Sequence, residues 1–313
     1  VNDSRSIRLH YLFRAAVLAA FALYVLHLMQ QDALHYYVAP ALARWIRLCP
    51  VPLGLMALSL VIQALLGRSQ VLCNCDHRLP AGFLKSTGLY GLFVLPLLLG
   101  FLLPDKALGS IAAAKKGISL SYSAMEPEKA IPSASTVPNK SITRAPSDPD
   151  TAVTFKTSDP YAKEFAELAK LLYAQPVIPV YPAIYSETFG AIEMFKEQFE
   201  GKEIAVSGFV YRDQTGGASG PFAVSRFLVQ CCTADATPFG IMVDPQQKLA
   251  LPADSWVKVQ GKLKIVSQGG NNLIEIEASQ ITPIAQPQTP YIYTSADSVA
   301  AWKELQKDAA KAK

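Results

Sequence analysis

Residues 15–29 read AAVLAAFALYVLHLM, an apolar stretch broken only by His27. With Tyr11 to Arg14 in front, the run extends over 11–29. A helix rises ~1.5 Å per residue, so about 19 residues cross a hydrocarbon core of ~30 Å. Arg14 stands near one end, where its long stem can reach the headgroups. No small-residue cleavage pattern follows, since Leu28, Met29, Gln30, Gln31 and Asp32 make a poor one. The run therefore reads as an uncleaved span rather than a signal peptide.

Two more apolar runs follow, at 48–66 and 88–103. Pro50 and Pro52 fall in the first turn of the second run, where missing N–H groups cost little. The third is the shortest, carries Pro96, and is either a kinked span or a re-entrant segment. Arg5, Arg8 and Arg14 flank the first run, and Arg68, Arg78 and Lys85 lie between the second and third. The positive-inside rule then places the N-terminus and the 67–87 loop in the cytoplasm, and three spans put the C-terminal domain outside. Lys106, Lys115 and Lys116 run against that orientation. His27 and His35 sit near the outer end of the first run, in the membrane or at its interface.

Across 313 residues, 50% are hydrophobic and 17% charged, which matches an apolar front third joined to an ordinary soluble remainder. The formal charge of +4 gives no ground for a nucleic-acid partner. Residues 121–150 are rich in Ser, Pro, Thr and Ala without an apolar period, and read as a flexible linker.

Beyond the linker, apolar spacings of three and four predict helices over 159–173 and 186–199, the second capped by Ser186. At Gly201 the period changes to two: Ile204, Val206, Gly208 and Val210 alternate in a strand over 202–211. Further strands are expected at 222–232, 239–243, 255–266 and 273–284, with Gly208 and Gly261 marking bulges or barrel corners. The expected fold class is a membrane α-helical N-terminal region plus a soluble α+β domain with an OB-like five-stranded barrel. Its parts would be a transmembrane region at 1–120, the linker at 121–150, and an extracytoplasmic domain at 151–313. A basic face interleaved with aromatics is missing from the strands, so the nucleic-acid role common among such barrels is not expected.

The sharpest chemical feature is Arg226 followed by Cys231, Cys232 and Asp235. Thiolates are soft ligands suited to zinc or another transition metal, and Asp235 is near enough to join them. Neighbouring strand residues point to opposite faces, so both thiols can meet one ion only if the strand breaks at Cys231. A strained vicinal disulfide, or two incidental cysteines, are the other readings. A second cluster, Cys73, Cys75 and His77, lies in the 67–87 loop and could capture a metal transiently or be an incidental polar loop. Cys49, inside an apolar run, reads as a small buried residue. Signatures of phosphate, serine-hydrolase and zinc-protease chemistry are missing, so the chain does not read as an enzyme.

Together these elements resemble the YcgQ-like family of bacterial membrane proteins. The resemblance rests on Gly201-Lys-x-Ile-x-Val-x-Gly-Phe-Val-Tyr211, on Arg226-Phe, on Cys231-Cys-x-Ala-Asp-Ala236, and on Pro238 and Gly240. A weaker part is Pro104-Asp-Lys-Ala-Leu-Gly-Ser110. It implies a small subunit in the bacterial cell membrane, working in the lipid bilayer beside a larger permease-like membrane protein. It also implies a tie to metal homeostasis through a His-rich loop. This chain departs there, with one His beside the Cys73 and Cys75 pair.

Overall fold

The computed structural model describes residues 2–66, 83–122, 155, 157, 162–212, 220–246, 249–268 and 271–311. Cys73, Cys75, His77 and nearly all of the expected linker lie outside the described residues. The described chain forms two compact units, Val1–Ala107 with Cys231–Thr233, and Leu108–Gln230 with Ala234–Lys313.

The first unit is helical: α1 (Asn2–Gln30), α2 (Pro40–Ile46), α3 (Pro50–Leu66) and α4 (Phe83–Leu102). Two stretches are long and apolar enough to cross a membrane, Arg8–Gln30 and Pro40–Leu66, and the apolar Gly88–Leu102 is shorter. Its packing is the reverse of a water-soluble core. The buried residues where α1 meets α3 are small, Ala15 and Ala22 on one helix and Ala57 and Ala64 on the other. Each pair is seven residues apart and so shares one helix face. Most of the large apolar side chains point out, with Leu65 73% and Leu102 76% exposed, while Leu28, Leu34 and Leu97 are buried. Small residues at the helix contact with leucines mostly outside is how helices pack when lipid is the solvent. Gly100 continues the pattern, because a Cβ there would lie 2.7 Å from the Tyr24 ring. The Tyr37 hydroxyl donates to the Asp105 carboxylate. Within this unit Ala39 N donates to Cys231 O (3.0 Å) and Thr233 N to Tyr37 O (2.9 Å).

The second unit holds a mixed sheet. Its strands are β1 (Val177–Pro179), β2 (Glu203–Tyr211), β3 (Phe222–Leu228), β4 (Thr237–Pro245), β5 (Trp256–Gln268) and β6 (Asn271–Ile284). They run in the order β1-β2-β3-β4-β6-β5, and a β2–β5 ladder closes β2 to β6 into a five-stranded barrel. The expected OB-like barrel is present. Gly261 sits at a register shift between β5 and β6. A Cβ there would meet the backbone of Glu277 and Ala278. Gly208 is confined by the Ser225 carbonyl in the same way.

Helices α6 (Lys163–Tyr173), α7 (Tyr185–Met194) and α8 (Lys196–Phe199) precede the barrel, and α9 (Ser298–Lys311) follows it. Leu168, Leu172, Phe189 and Ile192 share one core with Ile204, Val206 and Val210. Three expectations change. The helix expected over 186–199 breaks at Phe195, and Ser186 lies inside α7, donating to Glu187 Oε2 rather than capping (2.9 Å). The strand expected over 222–232 ends at Leu228. Residues Leu108–Tyr122 belong with the barrel: α5 (Ser110–Lys116) packs against β2 and β4, and Ser119 bridges Phe239.

Three carboxylates gather at the start of α9. Glu187 accepts from Ser295 N (2.7 Å), Glu164 from Ser298 N (2.7 Å), and Asp297 from Ala300 N (2.8 Å). Burial pushes the Glu187 carboxyl above its ordinary value of 4.5, against the downward pull of the Ser295 N–H and the Ser186 hydroxyl. A raised folded-state value favours the native state fully only below the unfolded value, and that advantage is lost as pH rises through the folded one.

Two outcomes follow. Gly261→Ala should destabilise the barrel by about 1–3 kcal/mol through backbone overlap, read from the thermal transition of the full chain in detergent; an unchanged midpoint would refute the close approach. Glu187→Gln should gain stability relative to the parent as pH rises from about 4 to 7. Urea midpoints that differ by the same amount at both pH values would contradict this.

Candidate metal centre in the Cys231–Asp235 turn

β3 stops at Leu228 and β4 starts at Thr237, so the residues between them form the connection at one end of the barrel. Its apolar members reach inward: Val229 and Ala236 are each 1% exposed. Its polar members face out, with Cys231 and Asp235 exposed and Cys232 half-buried. The Asp235 carboxylate folds back to accept from Gln230 N (3.0 Å), closing the turn across five positions. Cys231 and Cys232 are therefore not in a strand, and the alternation that would send their thiols to opposite faces does not apply.

The result is a convergent donor set. The Sγ atoms of Cys231 and Cys232 stand 3.7 Å apart. A carboxylate oxygen of Asp235 joins them, with all three ligand atoms within 4.8 Å of one another. Two sulfurs bound to one tetrahedral zinc at ~2.3 Å each stand ~3.8 Å apart. A disulfide needs ~2.05 Å. The separation is too long for a disulfide, and it suits two thiolates on one ion as well as an S–H···S contact between two thiols. Three protein donors would leave the fourth position of a tetrahedral ion open, unlike a closed structural zinc site.

Arg226, also singled out by sequence, lies on β3 outside this turn, while Cys73, Cys75 and His77 are outside the described residues. Arg226 is 2% exposed on β3. Its Nε donates to Ser207 O (2.8 Å), Nη2 to Ser207 Oγ (2.9 Å) and Nη1 to Thr289 O (3.1 Å), and its guanidinium lies over the Trp256 ring. Continuing the β2–β3 register past Phe209↔Ser225 would pair Arg226 with Gly208, so the guanidinium fills the space where the ladder stops. Burial lowers the Arg226 pKa. Cys49 is exposed on the helical unit, not buried as its apolar context suggested. That exposure has the same cause as that of the outward leucines, a surface made for lipid.

Sequence reasoning missed Lys116. Its ammonium donates to Ala234 O (2.9 Å) and Ala236 O (2.6 Å), the carbonyls on either side of Asp235. The lysine was visible only as a charge after the third apolar run.

Comparison with known proteins agrees with the architecture. Residues 13–119 match the DUF1980 N-terminal domain and residues 155–294 the DUF1980 C-terminal domain. A protein of Streptococcus mutans described as "Putative two-component membrane permease complex subunit" is 26% identical over 206 residues, covering 64% of this chain and 72% of its own. No solved structure matches the chain significantly. With both of its domains present in order, the chain belongs to the DUF1980 family.

Proposed function

We propose that the protein is a non-enzymatic accessory subunit of a membrane permease complex, and that the Cys231–Asp235 turn is its ligand site, taking zinc or another thiophilic transition metal. The observation that carries the ligand is the 3.7 Å sulfur separation with a carboxylate oxygen beside it. What supports the subunit role is the description of the Streptococcus mutans relative, together with two helices long and apolar enough to span a bilayer. In this reading the helical unit sits in the bacterial cell membrane with its N-terminus cytoplasmic, and the barrel faces the other side. The partner is a larger permease-like protein. An exposed site with an open coordination position suits handing an ion on, because the receiving ligand can bind before the donors release. Cys73, Cys75 and His77 would contact the ion or its carrier on the opposite face of the membrane.

The vicinal pair supports a second reading, thiol redox. Closing the bond requires the sulfurs to approach from 3.7 Å to ~2.05 Å within one dipeptide, which strains it and makes it easily reduced. The relaxed separation favours the metal.

In a Cys73→Ser/Cys75→Ser background, the full chain in detergent should bind one zinc per chain in equilibrium dialysis. Adding Cys231→Ser/Cys232→Ser should abolish that binding. Equal zinc affinity with and without the second pair would remove the turn as the site. Two thiols gained on reduction of the aerobically purified parent would favour the redox reading instead.

A further inference from the structure

We infer that Lys116 is a positioning residue for the metal turn, and that the segment from Leu108 to Ser119 is the strap that sets it. This deepens the metal reading and rests on it.

The turn is held at several points. Cys231 O and Thr233 N are bonded to Ala39 and Tyr37, and Asp235 accepts from Gln230 N at Oδ1 and from Thr237 Oγ1 at its carbonyl. The backbone around Asp235 is also held from far along the chain. The Lys116 Nζ spans Ala234 O and Ala236 O, at 2.9 and 2.6 Å, and so holds the peptide group entering Asp235 and the one leaving Ala236. A charged donor bridging two carbonyls makes stronger bonds than neutral ones would. Holding carbonyls on both sides restrains the backbone from which the Asp235 side chain leaves. A lysine ammonium offers three donors and no acceptor, so it serves carbonyls and cannot itself ligate while protonated.

Lys116 can act this way because its own backbone is anchored on both sides. Before the helix, Leu108 N donates to the Tyr291 hydroxyl (3.0 Å). At its first residue, Ser110 N and Oγ both donate to Asp254 Oδ1, at 2.5 and 2.6 Å. Gly109 has no side chain because a Cβ there would run into that carboxylate. Ala113 is fully buried in the middle of the helix. Gly117 ends it at φ 78°, with its N–H on Ala113 O (3.0 Å), the left-handed exit that favours glycine. Two residues on, Ser119 N donates to Pro238 O (2.9 Å) and Gly240 N to Ser119 O (3.1 Å), which stitches the strap to β4 just past the turn. The strap is thus bonded upstream of Lys116, downstream of it, and through Lys116 to the turn. Lys115 and Lys116 are both exposed, and it is the Lys116 ammonium that reaches the carbonyls of the turn.

The test titrates Co²⁺, a coloured stand-in for zinc, into the full chain in detergent in the Cys73→Ser/Cys75→Ser background. Thiolate-to-cobalt charge transfer reports binding, and the visible d–d bands report geometry. Lys116→Met should weaken Co²⁺ binding by about tenfold or more, the range for groups that orient metal ligands, and should alter the d–d bands. Lys116→Arg, which can still donate to two carbonyls, should restore most of the affinity, and Lys115→Met should match the parent. Affinity and bands unchanged in Lys116→Met would overturn the inference while leaving the site in place. So would a loss that Lys116→Arg does not restore. If Lys116→Met does not fold, Lys116→Ala, which has no side-chain donor, takes its place, and parent-like affinity there contradicts the positioning role. A parent that gives no thiolate band, or keeps it after Cys231→Ser/Cys232→Ser, instead overturns the metal reading itself.

Discussion

Seven residue pairs between β2 and β5, from Glu203↔Lys262 to Phe209↔Trp256, close the sheet on itself. Closure removes the open edges of the strands that take part and fixes where every connection emerges. It depends on glycines where backbones come too close for a side chain, Gly208 beside Ser225 and Gly261 beside Glu277. Where the β2–β3 ladder runs out, Arg226 supplies the missing donors to Ser207 and ties in Thr289. A buried guanidinium with carbonyl and hydroxyl partners is costly unless each bond is well made. Its presence marks a point at which barrel geometry overrides local preference. With the frame fixed, the β3–β4 connection must turn at one end of the barrel, and Cys231 and Asp235 are among its exposed polar residues, with Cys232 half-buried.

The parts legible in the sequence are those encoded by local periodicity. The run at 15–29 needs only its length to identify it. The alternation of Ile204, Val206 and Val210 needs only its period. Strand existence and order follow from such signals, and the closed barrel could be inferred from them. The end of β3 could not. Val229 and the residues after it continue a strand-like pattern, and the stop is set by Asp235 bonding back to Gln230 N. Likewise β1 is three residues long and pairs in parallel with β2, too short to leave a periodic trace. The last helix, α9, buries mainly Val299 and Trp302 along its length, and its start is defined by carboxylates brought from α6 and α7.

The candidate site divides the same way. Residue chemistry pointed to Cys231, Cys232 and Asp235, and backbone geometry brings their donor atoms together. Arg226 was legible as unusual, but its burial and partners came only from the barrel. Lys116 was illegible as a partner because its acceptors are backbone carbonyls 118 and 120 positions away. No side-chain pattern records such a bond. In the helical unit, by contrast, the alanines at 15, 22, 57 and 64 carry their packing role in their spacing, since lipid leaves close approach rather than water exclusion to hold helices together.

The proposed ligand site requires the two sulfurs of one turn to share a metal ion. X-ray absorption at the zinc edge, on the zinc-loaded full chain with Cys73 and Cys75 replaced by serine, measures this directly. Two sulfur neighbours at ~2.3 Å with oxygen or nitrogen at ~2.0–2.2 Å are expected. A zinc shell of oxygen and nitrogen alone would contradict it.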